Sequence, residues 1–339
     1  MKPRVEVCFD HKKRRAFLRQ KPICEQKSNE FLLNHARSGL LLALRSLGLP
    51  QGSRVGVMVY NCHTVMNAVD QAGLEIVFVD VDDDMRINAE DLRNKADGMK
   101  VLIVTHLFGI VNDVKDIRRR YPHLVVIEDC AHAYGKEIDG DFGVYSIGQG
   151  KLPSLGDGGI LVVNNSQYIE AVRSLYDRLP CYSRFDETKL YVKLFLTDVL
   201  HKRLIYSVFT SRWKQNKKPQ SGRETIVMKK MSPGVQAMFA LSKKDIPNQV
   251  KTRLVNAEKE ADYLKDNVLV SSVLVGSNVF MVVARSADVK ALKAQYAQRG
   301  IETATHFAHS IHWACSFGYK GDCPNAEKSV KELLMIPIY

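Results

Sequence analysis

The chain has 339 residues, of which 45% are hydrophobic and 25% charged, and a formal net charge of +12. That length buries a large core in one large or two closely associated domains, with the composition of an ordinary soluble globular protein. The basic excess sits in short runs, Lys12-Lys13-Arg14-Arg15, Arg118-Arg119-Arg120 and Lys214 with Lys217-Lys218; these read as solvated faces, and without a nucleic-acid-binding motif they argue against a nucleic-acid partner. Seven scattered cysteines, odd in number and lacking any C-x-x-C, exclude a disulfide framework or zinc site and point to reduced thiols in a cytoplasm. The N-terminal stretch MKPRVEVCFDHKKRR has no apolar signal core, and no apolar run reaches membrane-spanning length.

Along the chain, residues 29–49 (NEFLLNHARSGLLLALRSLGL) carry helical periodicity that stops at Gly48 and Pro50. Apolar strands then alternate with helices. Strands are predicted at 54–60, 76–81, 101–105 and 124–127, and helices at 64–72, 89–95 and 111–120. Uniformly apolar strands separated by helices describe an α/β fold, a mostly parallel sheet with helices on both faces. Its ligand site lies beyond the carboxyl ends of the strands, where Asp129 and the Thr105-His106 pair fall. From about residue 241 the pattern changes to helices at 242–265 and 286–299 flanking a short strand at 279–283. The expected organisation is a large domain over 1–240, with a helical insertion at about 181–225, and a smaller α+β domain over 241–339.

Three local features invite chemistry. The acidic run 79–84 (VDVDDD) fails as a calcium loop, because Met85 stands where glycine is needed and Asp91 where a bidentate glutamate is needed; a strand end and solvated turn is expected instead, and no metal site is read from the chain. Glu128-Asp129-Cys130-Ala131-His132 places two carboxylates at the end of a buried strand, a structural cap or a partner for a cationic ring nitrogen. In YSIGQGKLPSLGDGG (145–159) a single amine, Lys151, stands among five glycines, which permit close approach to the backbone. The residues alone leave it a phosphate anchor, a Schiff-base nucleophile or a solvated lysine.

The ordered set VFVDVD (78–82 within it), THLFG (105–109), VIEDCAHAYG (126–135), YSIGQGK (145–151) and GDGG (156–159), with LLLALRSLGLPQGSRV upstream and HF…IHW and CPNAEKSVKELLMIPIY downstream, resembles the DegT/DnrJ/EryC1/StrS family of pyridoxal-phosphate-dependent sugar aminotransferases. The resemblance runs over nearly the whole chain. It implies the fold of type I pyridoxal-phosphate transferases, a homodimer, and an amino transfer from glutamate to a nucleotide-linked keto sugar. By position, Lys151 is the covalent tether of the cofactor, Asp129 pairs with its ring nitrogen, His132 contacts its ring hydroxyl, and Ser146 binds its phosphate. His306 and His312 fall on the substrate side. The dehydratase branch of the family carries histidine in place of the lysine, so Lys151 argues against it; a non-catalytic relative is a further alternative.

Departures from the family's pattern are specific. Its phosphate-binding Gly-Thr falls on Ala36-Arg37, whose backbone amides can still serve at a helix N-terminus. The aromatic that stacks on the cofactor falls on Cys62, leaving His63 or Tyr60 to replace it. The asparagine that reaches the partner's cofactor falls on Met228, and the chain ends at Tyr339 without the expected final helix. Residues 189–214 (KLYVKLFLTDVLHKRLIYSVFTSRWK) form an apolar face beside a polar, basic stripe. They are expected to pack as an insertion on the dimer or over the active site, with a basic amphipathic helix on an anionic membrane as the sharper alternative.

Overall fold

The computed structural model describes residues 2, 3, 9–20, 27–202, 206, 222–265, 280–305 and 307–339. In chain order the elements are α1 (His11–Arg19), β1 (Glu30–Leu33), α2 (Ala36–Ser46), β2 (Arg54–Met58), α3 (His63–Gln71), β3 (Glu75–Val79), α4 (Ala89–Lys95), β4 (Met99–Thr105), α5 (Val114–Arg120), β5 (Val125–Asp129), β6 (Phe142–Ser146), β7 (Gly159–Val163), α6 (Ile169–Asp177) and α7 (Arg184–Leu200). The C-terminal part follows with α8 (Pro233–Ser242), α9 (Ile246–Leu264), β8 (Val282–Arg285), α10 (Val289–Gln298), α11 (Ser310–Cys315), α12 (Pro324–Glu332) and β9 (Leu333–Ile336).

Seven strands form one sheet in the order β1-β7-β6-β5-β4-β2-β3, parallel except that β7 runs against both of its neighbours. This is the mostly parallel, doubly covered sheet that the apolar strands imply. Side chains alternate between its two faces along each strand. Val55, Val57, Val101, Ile103, Ile127, Phe142 and Val144 pack with Leu40 and Leu41 of α2 and Val65 and Val69 of α3. Leu102, Val104 and Val126 face the other way, into a cluster shared with Phe280, Met281 and Met335 of the C-terminal part.

The helix expected over 29–49 begins only at Ala36. Near its expected start, Glu30 to Leu33 are instead the edge strand β1, paired with Val162 to Gly159 of β7. A short apolar run is compatible with either state by periodicity alone, and the ladder to β7 decides it. Strand β6 was not anticipated. The helix expected from 242 starts at Ile246 behind Asp245, and Ser242 closes α8, which Ser232 caps through the Val235 amide.

The acidic run is the expected strand end and turn, with Asp83 exposed, except at its first carboxylate. Asp80 is buried, and its carboxylate accepts hydrogen bonds from the backbone amides of Val81, Asn325 and Ala326. It therefore anchors the N-terminus of α12 to the end of β3, so that the small sheet β8-β9 is held against the large one. No helix among the described residues is long and apolar enough to cross a membrane.

Candidate functional site

The period of two along the strands selects which polar groups meet. Thr105, Asp129 and Ser146 continue the parity of Ile103, Ile127 and Val144, so all three emerge on the α2/α3 face at the carboxyl ends of β4, β5 and β6. There they line one cavity of about 400 Å³ together with His35, Ala36 and Arg37 from the start of α2, Cys62 and Thr64 from the start of α3, His132, and Lys151 from the loop after β6. The two residues on which the resemblance turns, Lys151 and Asp129, thus share one space. Glu128, of opposite parity, faces away from it.

Lys151 is presented by a loop folded on itself. Leu155 donates its amide to the Ile147 carbonyl at 2.9 Å, and the Gly150 amide donates to Ser154 Oγ at 2.9 Å. The Lys151 ammonium lies 4.9 Å from the Phe280 ring centroid. Removal from water pushes its pKa down to about 8, partly opposed by the negative charges of Cys62 and Asp129. Of the glycines of this loop, Gly148 and Gly158 line the cavity, while Gly156 and Gly159 make room for protein. A Cβ on Gly156, whose φ is +81°, would meet Leu194 of α7 at 2.2 Å, and one on Gly159 would meet the Ala36 nitrogen at 2.2 Å. Gly159 therefore lets β7 abut the start of α2 and brings that helix terminus to the cavity.

Asp129 is oriented by a short relay. Asn61 donates through Nδ2 to Thr105 Oγ1 at 2.8 Å, and Thr105 in turn donates to Asp129 Oδ2 at 3.5 Å. The Ala131 amide donates to Asp129 Oδ1 at 3.0 Å. Burial raises this carboxyl above its ordinary range, against the pull of the Ala131 hydrogen bond and of Lys151. His132 accepts the Phe108 amide at Nδ1, 3.1 Å away, which leaves Nε2 as the protonated nitrogen of the neutral ring. Its ring stacks on Phe280 with centroids 4.1 Å apart and planes 9° apart.

At the opposite end of the cavity α2 opens with no side-chain cap, because its N-cap residue His35 turns Nδ1 to Asp157 Oδ1 at 2.9 Å instead. Uncapped amides at a helix start, the Ser146 side chain and the half-exposed Arg37 guanidinium suit an anionic group. Arg37 stands 3.9 Å from Glu224. Cys62 lines the wall where a stacking aromatic was sought. Burial raises its thiol, but hydrogen bonding by His63 and Thr64 outweighs this and leaves it below the ordinary value. Tyr60 does not replace the aromatic, since it is buried against Phe108 and Phe307. Trp313, packed edge-on to His63 at 4.8 Å, supplies an aromatic wall.

Of the two histidines expected on the substrate side, His306 lies outside the described residues. His312 is exposed and off the cavity, because the α11 turn that carries it presents its neighbour Trp313 to the lining. Met228, in the position of the family's asparagine, packs against the apolar cluster under α2. Sequence reasoning missed Asn61, Phe280 and Trp313. The only signal for Asn61 was a polar residue directly after an apolar strand, and Phe280 and Trp313 come from a distant part of the chain.

The ligand atoms of His106, Glu128 and Cys130 lie within 4.8 Å of one another, but those of His106 and Glu128 are already engaged. His106 accepts the Asn112 amide at Nδ1 and meets Glu128 Oε2 at 2.8 Å through Nε2. Lys136 donates to Glu128 Oε2 at 2.7 Å, and the Asp139 and Gly140 amides donate to Oε1 at 2.6 Å each. Glu128 is thus the structural half of the carboxylate pair, fixing the turn between β5 and β6.

Residues 29–192 match the DegT/DnrJ/EryC1/StrS aminotransferase family. The GDP-perosamine synthase of Escherichia coli O157:H7 is 31% identical over 150 residues, covering 41% of this chain and 39% of that protein; the matched stretch therefore spans about two-fifths of that relative's length. PseC of Helicobacter pylori, an aminotransferase involved in pseudoaminic acid biosynthesis, superposes with a TM-score of 0.73 at 16% identity over 99% of this chain and 93% of its own. The GDP-4-keto-6-deoxy-D-mannose-3-dehydratase of E. coli, solved with bound hydrated pyridoxal phosphate, gives 0.72 at 16% identity over 100% and 95%. The fold is that of type I pyridoxal-phosphate transferases, and the stretch 29–192, just under half of the chain, is similar to the DegT/DnrJ/EryC1/StrS aminotransferase family, a family of pyridoxal phosphate enzymes.

Proposed function

We propose that this chain is a pyridoxal-phosphate-dependent aminotransferase that moves an amino group from glutamate to a nucleotide-linked keto sugar, for amino-sugar or surface-glycan biosynthesis. The observation that carries the reading is the placement of Lys151 and Asp129 in one cavity, with an uncapped helix start at its other end. These residues fit the cofactor: Lys151 tethers it, Asp129 holds its ring nitrogen, and Ser146, Arg37 and the Ala36-Arg37 amides hold its phosphate. When bound, pyridoxal phosphate supplies the carbonyl that carries the amino group and the electron sink that acidifies the donor's α-carbon. Lys151, with its pKa near 8, is partly neutral at neutral pH and takes the α-carbon proton from the donor, then returns a proton to the acceptor sugar's amine-bearing carbon. Thr105 and Asn61 keep the Asp129 carboxylate aimed throughout. Lysine at position 151 favours amino transfer over the dehydratase reading.

The reading includes a homodimer in the cytoplasm, with reduced thiols. The experiment is a panel of nucleotide-linked keto sugars incubated with glutamate and the cofactor-loaded chain, followed by mass spectrometry. Amination of one member with stoichiometric 2-oxoglutarate supports the proposal. Dehydration without amine incorporation would favour the dehydratase reading, and a protein that takes up no cofactor would favour a binding role. A second expectation concerns the phosphate end. Arg37→Ala should weaken pyridoxal phosphate binding by about tenfold, the order expected for losing one charge-assisted hydrogen bond at a half-exposed site, as read by titrating the apoprotein's absorbance. An unchanged dissociation constant would take Arg37 out of the phosphate site.

A further inference from the structure

Helix α7 is held to the body of the protein by one face only. Leu190 and Leu194 are buried with Phe9 and Phe17 of the α1 segment, and Asp198 accepts from the Phe9 amide and pairs with Arg14 at 2.9 Å. The opposite face carries large apolar side chains in water. Phe185 is 77% exposed, Val192 47% and Leu196 52%, and at spacings of seven and four they form one stripe. Lys189 and Lys193 flank that stripe, and both are exposed. No free carboxylate shares it: Asp186 is engaged by Lys229 at 3.0 Å, Asp198 by Arg14, and Glu187 is buried. The sequence continues the same chemistry. From Val199 to Gly222 it holds six lysines and arginines and no aspartate or glutamate.

We infer that the exposed face of α7 is a docking surface for an anionic lipid bilayer, on which the helix lies in the interface plane. An apolar stripe bordered by lysines, its nearest carboxylate Asp186 about a third exposed and already paired with Lys229, is the pattern of interfacial helices: the apolar residues enter the headgroup boundary and the lysines meet lipid phosphate and carboxylate. Charge complementarity selects this occupant over a second copy of the chain. A two-fold contact through the stripe would set the Lys189 and Lys193 rows of both copies against each other, within a chain of net charge +12. The buried face of α7 also touches the loop of Lys151 through Leu194 and Gly156. Docking would thus hold the enzyme at a membrane surface with its cavity on the same molecule's rigid frame. The inference does not depend on the proposed reaction.

The test uses the full chain loaded with pyridoxal phosphate and flotation on two vesicle types, phosphatidylcholine alone and phosphatidylcholine with about 30% phosphatidylserine, the latter carrying a negative surface potential. The wild type is expected to float with the anionic vesicles and to remain in the soluble fraction with the neutral ones. Lys189→Gln with Lys193→Gln should lower the anionic partition coefficient by about thirtyfold, from roughly fivefold per lysine. Val192→Glu with Leu196→Glu should abolish flotation. Both variants should keep wild-type cofactor absorbance and melting temperature, which separates lost docking from lost folding. Absence of wild-type flotation on anionic vesicles overturns the inference, as does flotation unaffected by either double variant. A change of oligomeric state in the Val192→Glu, Leu196→Glu protein, without wild-type flotation, would show instead that a second copy covers this face.

Discussion

Replacing Lys151 with alanine is expected to eliminate borohydride-stable attachment of pyridoxal phosphate and to lower kcat by more than about 10⁴-fold, because tether and proton carrier are lost together. The cofactor should still bind non-covalently. Ser146, Arg37, Asp129 and the start of α2 are untouched, so apoprotein titration should show a weakened but measurable dissociation constant. That difference separates a catalytic role from a merely structural one, as does the pH dependence. Burial depresses the Lys151 pKa to about 8, and only the neutral amine attacks a carbonyl. The rate of covalent attachment to the wild-type apoprotein should therefore climb as pH rises and level off above about pH 8, well below the range of an ordinary lysine. A rate still climbing at pH 10, or a Lys151→Ala protein trapped by borohydride to the wild-type extent, would remove Lys151 from the chemistry.

How much of this was legible in the sequence follows from the range of the interactions involved. The parallel sheet was readable because each of its central strands is a continuous apolar run, and the position of Asp129 followed from the run that ends in it. Lys151 was legible only through the ordered set of motifs around it, since an amine among glycines has three readings by itself. What escaped depends on contacts across the chain. Glu30 to Leu33 is apolar enough for a helix, and becomes a strand because β7 offers a ladder some 130 residues later in sequence. Asp80 was read as solvated because nothing nearby needs a carboxylate; its partners are the amides of Asn325 and Ala326. Gly156 and Gly159 announced close approach correctly, yet only the fold shows that a leucine and a helix terminus are what approach. The aromatic wall was sought at Cys62 by local alignment and is supplied instead by Trp313, 251 positions further on.

Glu128→Gln should be the most destabilising single substitution near the site, by about 3–5 kcal/mol, although Glu128 never touches the cavity. The native carboxylate is fully buried and accepts from four groups, Lys136, His106 and the amides of Asp139 and Gly140. A glutamine oxygen can keep the two amides, but its NH₂ group then faces an ammonium and an imidazole N–H, and the Lys136 charge loses its anion in a low-dielectric setting. Burial alone would raise the Glu128 pKa; the hydrogen bonds of His106 and Lys136 override it and hold the carboxyl at about 2, against an ordinary 4.5. A carboxyl held low in the folded state adds stability that is complete above the unfolded value and disappears as pH falls through the folded one. The gap of roughly 2.5 units corresponds to about 3 kcal/mol. Urea unfolding should therefore show a large fall in midpoint for the variant at pH 7, with the slope unchanged, and a difference from wild type that narrows between pH 4.5 and pH 2. Because Asp129 is the next residue on β5, loss of this clamp should also loosen the Asp129 carboxylate, and the variant's cofactor absorbance should fade at denaturant concentrations where wild type keeps it. A midpoint difference below about 1 kcal/mol, or one independent of pH, would show that the turn between β5 and β6 holds without its buried anion.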